Sequence, residues 1–159
     1  MTVRIPIERC KDPFIMDENT VNLAVSSYFE NKRVDVKNVA KNKERGFDVY
    51  GEKNGYSLIV ESKGSLGNNQ CTYVFGTGQL KNHLSAQIFC LMKHYEYSSD
   101  KTILIMANPD IPRIRNMINE ISLSLDELEF VRFWVNSQQI VQVECPDELT
   151  DLLERLGLM

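Results

Sequence analysis

The sequence holds only two histidines, His83 and His94, eleven residues apart, and four scattered cysteines, Cys10, Cys71, Cys90 and Cys145. No C-x-x-C pair and no histidine pair at ligand spacing occurs, so a zinc site is not indicated. Histidine-centred nucleophilic catalysis has little to work with. Long apolar runs are missing as well: the run at residues 103–107 falls far short of the ~20 residues that span a bilayer. Arg4, Glu8, Arg9, Lys11 and Asp12 interrupt any apolar core of an N-terminal signal peptide. Without a secretory signal the cysteines read as reduced thiols. No repeat, low-complexity tract or Pro/Gly-rich linker divides the chain. The expectation is one soluble, cytoplasmic domain over residues 1–159, with no membrane partner.

What is present supports that reading. The 159 residues are 43% hydrophobic and 25% charged, close to the globular average, which excludes disordered, collagen-like and coiled-coil classes. A chain of this length buries roughly two thirds of its unfolded surface without a disulfide or metal staple. The net charge of −4 excludes a polycation that coats nucleic acid unspecifically. Charge is nevertheless unevenly spread. Lys32, Arg33, Lys37, Lys41, Lys43 and Arg45 face only Asp35 and Glu44, while residues 144–159 carry five acids and one arginine.

Apolar periodicity and turn residues give the element order α, three β, α, β, α, β-β, α. Asp12-Pro13 or Asp17 caps a first helix with Val21, Val25, Tyr28 and Phe29 on one side. Strands are expected at residues 33–39, 47–51 and 56–63, the last two joined by Asn54-Gly55, the strongest hairpin signal in the chain. A glycine-rich loop (Gly64, Gly67, Gly76, Gly78) leads to a helix with Leu80, Leu84, Ile88, Leu91 and Tyr95 at helical spacing. A buried strand at 101–107, a helix with Ile111, Ile114, Ile118 and Ile121, and a hairpin at 130–135 and 140–144 follow. Pro146 opens a last helix that Gly157 ends. Its leucines, 149, 152, 153 and 156, read as core, with a dimer seam as the alternative. Because hairpins interrupt the β-α alternation, this is an α/β sandwich with a central mixed sheet rather than a doubly wound fold.

The chemistry concentrates in the Asn54-Gly55 hairpin. A two-residue turn there sets Lys53 opposite Tyr56, so facing residues carry numbers that sum to 109 and Asp48 opposes Glu61. Their Cβ atoms then lie about 4.5–5.5 Å apart on one face, and Lys63, two residues beyond Glu61, shares that face. Directly opposed like charges destabilise a sheet, and a divalent cation between them resolves the conflict. Two carboxylates, a carbonyl and waters suit Mg2+. The plainer alternative is a solvated hairpin face on which Lys63 neutralises the acids.

This constellation resembles the PD-(D/E)xK nuclease superfamily, the fold of restriction endonucleases and archaeal Holliday-junction resolvases. The matching residues are Phe47-Asp48 and Glu61-Ser62-Lys63, separated by twelve residues that contain the hairpin turn. Glu18, within Asp-Glu-Asn-Thr-Val-Asn-Leu, matches the glutamate many members carry on the helix before the core hairpin. Gly78-Gln79-Leu80 matches the glutamine that several branches carry on the next helix. The likeness covers residues 13–107. Phe47 stands where the family has proline, and Ser62 where the middle motif residue is aliphatic.

The resemblance implies a restriction-endonuclease-like αβββαβ core with a C-terminal hairpin and helix. It implies a Mg2+-dependent endonuclease (with Mn2+ as the substitute ion) that hydrolyses DNA phosphodiesters through a metal-activated water. Asp48, Glu61 and the Ser62 carbonyl would hold the ion, and Glu18 would bind a second ion or the water shell. Lys63 would orient or deprotonate the water, and Gln79 would fix a ligand or touch the substrate backbone. Read alone, Glu18 is equally a first-turn acid favoured by the helix dipole, and Gln79 a polar first-turn residue. Lys37, Lys41, Lys43 and Arg45 are the candidate DNA contacts. A single domain implies targeting by DNA structure or by a partner protein, and a homodimer is compatible. The alternative function is a nucleic-acid-binding or scaffold subunit that keeps the fold without turnover.

Overall fold

Asn54 and Gly55 both have positive φ, +51° and +83°, the left-handed backbone that a two-residue hairpin turn needs and that these residue types tolerate. The turn joins β3 (Val49–Lys53) to β4 (Tyr56–Ser62) in the expected register, from Lys53↔Tyr56 to Val49↔Val60. The computed structural model describes residues 3–40 and 46–159. Around this hairpin it builds a mixed six-stranded sheet flanked by helices on both faces.

The remaining elements, in chain order, are β1 (Arg4–Pro6), α1 (Glu18–Asn31), β2 (Asp35–Val39), then β3 and β4, β5 (Tyr73–Phe75) and α2 (Thr77–Glu96). After them come β6 (Thr102–Pro109), α3 (Pro112–Asn119), α4 (Ser122–Glu127), β7 (Phe130–Val135), β8 (Val141–Glu144) and α5 (Thr150–Arg155). The sheet order is β2-β3-β4-β6-β7-β8. β4, β6 and β7 run parallel, and the outer pairings are antiparallel. Two parallel crossovers, through α2 and through α3–α4, place these helices on one face; α1 and α5 cover the other.

Strand periodicity sorts the core into two layers. Leu58 and Val60 of β4 join Ile103, Ile105, Val131 and Phe133 under Val21, Val25 and Phe29 of α1. The intervening Ile59 joins Leu104, Met106, Phe130 and Trp134 under Leu80, Leu84 and Leu91 of α2 and Ile114 and Ile118 of α3. Glu61 continues the Ile59 series, so its side chain belongs to the α2 layer.

Asp17 is the cap of α1, its Oδ1 accepting from Thr20 N–H at 2.8 Å. Gly64 lets the loop after β4 cross the start of this helix: a Cβ there would lie 2.5 Å from Glu18 N and 2.7 Å from Met16 O. The Ser65 hydroxyl accepts from Met16 N–H at 3.0 Å, so the end of β4 and the first turn of α1 are fastened together.

Three expectations are corrected. The helix expected across Ile111–Ile121 breaks at Glu120–Ile121 into α3 and α4, and Ile121 emerges 37% exposed. Tyr95 is 46% exposed, because the buried stripe of α2 runs through Gln87 and Leu91 rather than through Ile88 and Tyr95. A two-stranded sheet, β1 with β5, forms where no strands were expected. The last helix buries Leu153 and Leu156 in the α1 layer, so its stripe is core. Among the described residues no helix is long and apolar enough to cross a membrane.

Candidate active site

Asp48 lies one residue before β3 and one step beyond the last ladder pair, Val49↔Val60. It is not a ladder partner of Glu61. Instead its Oδ2 accepts from Ser62 N–H at 2.7 Å, bending over the end of β4 so that its carboxylate meets that of Glu61. The facing ladder pair expected from the register is therefore not formed; the two carboxylates meet because the Asp48 side chain turns back onto the strand-end N–H of Ser62.

Glu61 is 9% exposed. Burial first, and then the charge and hydrogen bond of Asp48, push its carboxyl up to about 8, so it holds a proton at neutral pH. Its Oε1 is also 2.7 Å from His94 Nε2. Burial, with Lys93 adding to it and Asp48 opposing it, lowers the imidazole pKa, so burial favours the neutral form on both sides of this contact.

Lys63 extends from the end of β4, its N–H bonded to Ala107 O at 3.1 Å and its ammonium 3.6 Å from Glu18 Oε2. Glu18 is held by the first turn of α1. Burial raises its pKa, Lys63 opposes that rise, and Asp48 adds to it. Asp48, Glu61, Lys63 and Glu18 thus form one electrostatically coupled group at the carboxyl end of β4. Three carboxylates share it with one ammonium.

Ser62 supplies the N–H for Asp48 but points its hydroxyl to the opposite face, where Oγ is fully buried without a hydrogen-bond partner. A serine here occupies the inward position that an aliphatic residue would fill without an orphaned polar atom. Gln79 is not joined to the carboxylates: its Oε1 accepts from Gly76 N–H at 3.2 Å and closes the N-terminus of α2. Lys37 is exposed and paired with Asp35 at 2.6 Å. Lys41, Lys43 and Arg45 lie outside the described residues.

Sequence reasoning missed His94 and Gln87. Gln87 is fully buried, and its Nε2 donates to Glu61 O at 2.8 Å and to Ala107 O and Asn108 Oδ1 at 3.2 Å. His94 follows it by seven residues, two helical turns, and so falls on the same face. His83 stacks on Phe75 of β5, with centroids 4.2 Å apart. Burial and the Lys63 charge lower its pKa. The signal was available in the spacing 83, 87, 90 and 94, a polar stripe along a helix otherwise read from its leucines.

The donors suit a hard divalent cation in kind: carboxylate oxygens with a deficit of positive charge, and an imidazole beside them. As they stand, no three His, Cys, Asp or Glu side chains among the described residues converge closely enough to hold one. Comparison with protein families, curated proteins and solved structures returns no match for this chain.

Proposed function

We propose that this chain is a divalent-metal-dependent nuclease that hydrolyses DNA phosphodiester bonds, with the αβββαβ core of the PD-(D/E)xK enzymes and a cytoplasmic location. The observation that carries the proposal is the coupled group at the end of β4, where Asp48 and Glu61 press together on one face with Lys63 and Glu18 beside them. A fold alone needs no such group, because crowding carboxyl groups out of water costs stability.

Asp48 and Glu61, with the Ser62 carbonyl, would hold Mg2+ or Mn2+, and Glu18 would serve a second ion or its waters. When bound, such an ion supplies charge for the phosphate and lowers the pKa of water. Lys63, held toward Glu18, orients the attacking water and offsets phosphate charge. Asp48 fixes the site to the backbone through Ser62 N–H, and α2 shields Glu61 from bulk water. Lys37, with Lys41, Lys43 and Arg45, supplies phosphate contacts.

The lack of three convergent donors among the described residues favours a second reading, a DNA-binding or scaffold subunit that keeps the fold without turnover. Incubating the chain with labelled linear and branched DNA, with Mg2+ or Mn2+ and with EDTA, separates the two. Cleavage that needs the metal and vanishes in Asp48→Asn supports the nuclease. Metal-independent cutting refutes the mechanism, and binding without cleavage selects the scaffold.

A further inference from the structure

One side of α2 is fixed to the sheet by its buried residues Leu80, Leu84, Gln87 and Leu91. On the opposite side, at alternating spacings of three and four residues, stand Asn82, Ser85, Phe89, Met92 and Glu96, all exposed. That alternation is the seam along which two helices pack. Phe89, near the middle of the helix, is 63% exposed and Met92 47%, on a face where polar residues are the rule. Beside the seam a groove of about 330 Å3 opens between α2 and α3, lined by Lys81, Leu84, Ser85, Ile88, Met117 and Ile121. The charges on this side sit at opposite ends: Lys81 in the second turn and Glu96 as the last residue of the helix. Among the described residues neither belongs to an ion pair.

We propose that this face is the interface of a homodimer, in which the α2 helices of two copies pack antiparallel about a two-fold axis at Phe89 and each Met92 enters the groove between α2 and α3 of the other copy. An antiparallel pairing centred on Phe89 sets the two Phe89 rings against each other. It brings Met92 opposite Ala86, next to Ser85 on the rim of the groove, where small side chains let the helices approach. Glu96 comes opposite Asn82, next to Lys81, so an ion pair closes each end of the seam. Charge selects a second copy as the occupant, because the face carries its own complement. Parallel pairing would set Lys81 against Lys81 and Glu96 against Glu96; antiparallel pairing joins opposite charges twice, and opposes the two helix dipoles as well. The carboxylates at the end of β4 lie toward the other flank of α2, that of His94, so this pairing is independent of what they do.

Sedimentation equilibrium of the whole chain over a concentration series tests it. A reversible monomer–dimer equilibrium in the micromolar range is expected, as suits an interface at the small end of the specific class. Phe89→Asp, at an exposed position that the core does not use, should leave only monomer with an unchanged circular dichroism spectrum. Lys81→Glu and Glu96→Lys should each weaken dimerisation about tenfold, since each turns both end contacts from attraction to repulsion. Mixing these two variants should restore the dimer, because every end contact then joins opposite charges again. A wild type that stays monomeric throughout overturns the pairing and leaves the face to a partner other than this chain. A dimer that survives Phe89→Asp, or a mixture of the two charge variants that associates no better than either alone, overturns it as well. The wild-type series and the mixing experiment keep the answer visible even if Phe89→Asp folds poorly.

Discussion

Two charged residues are buried on the same face of the same sheet, Glu61 in β4 and Arg132 in β7, and their surroundings are opposite. Arg132 is 4% exposed. It donates to Asp126 at 2.7 Å, to Glu144 at 3.1 Å and to Phe130 O at 2.8 Å. Two opposite charges and a carbonyl satisfy the guanidinium fork, as a structural ion pair requires. Glu61 meets another carboxylate, an imidazole and a lysine that also serves Glu18. Its compensation is a proton. Burial alone therefore does not mark a candidate functional residue; burial among groups that fail to neutralise it does.

This contrast can be broken from either end. The largest expected effect is chemical: Asp48→Asn should reduce metal-dependent cleavage by at least about a thousandfold. The folded state should be kept, checked by circular dichroism beside the cleavage assay. At the other site, Arg132→Ala should cost stability, about 2–3 kcal/mol in urea denaturation, because packing and both ion pairs go together. Its intrinsic cleavage should survive in the fraction that remains folded. Equal behaviour of the two variants in both assays would erase the distinction.

Glu61→Gln should do the reverse of Arg132→Ala and stabilise the metal-free protein at pH 8. The carboxyl is raised from its ordinary value near 4.5 to about 8. Below the lower value both folded and unfolded chains hold the proton. Between the two the unfolded chain releases it and the folded chain keeps it, so wild-type stability falls as pH rises. The variant removes that loss. Its advantage should be about 4 kcal/mol at pH 8 and under about 0.5 kcal/mol at pH 4.5, read from denaturation curves in EDTA. A pH-independent difference would show that Glu61 is not the group responsible.

The smallest effect belongs to Lys37, exposed and already paired with Asp35. Lys37→Ala should flatten the salt dependence of DNA binding by at most about one unit of log–log slope. Fluorescence anisotropy over a salt series measures it, and an unchanged slope removes Lys37 from the interface.

Much of this was readable from local rules. Asn54-Gly55 determines a two-residue turn, and the turn determines the register as far as Val49↔Val60; Asp48 and Lys63 lie beyond the ladder, and Asp48 meets Glu61 through a side chain that turns back over Ser62 N–H. Asp17 likewise determines where α1 begins, which puts Glu18 in its first turn. Each step depends on residues a few positions apart, where sterics and backbone hydrogen bonding leave few choices. The tertiary structure decided the rest. β1 and β5 are short segments about seventy residues apart in sequence, and no local pattern announces their pairing. Gln79 matched a motif by position, yet the nearest unpaired N–H, that of Gly76, took its side chain. His94 is thirty-three residues from Glu61. Their meeting depends on how α2 docks across β4, which Gln87, Asn108 and Leu91 settle together. Periodicity says which face of a helix turns inward; only packing says what that face will touch.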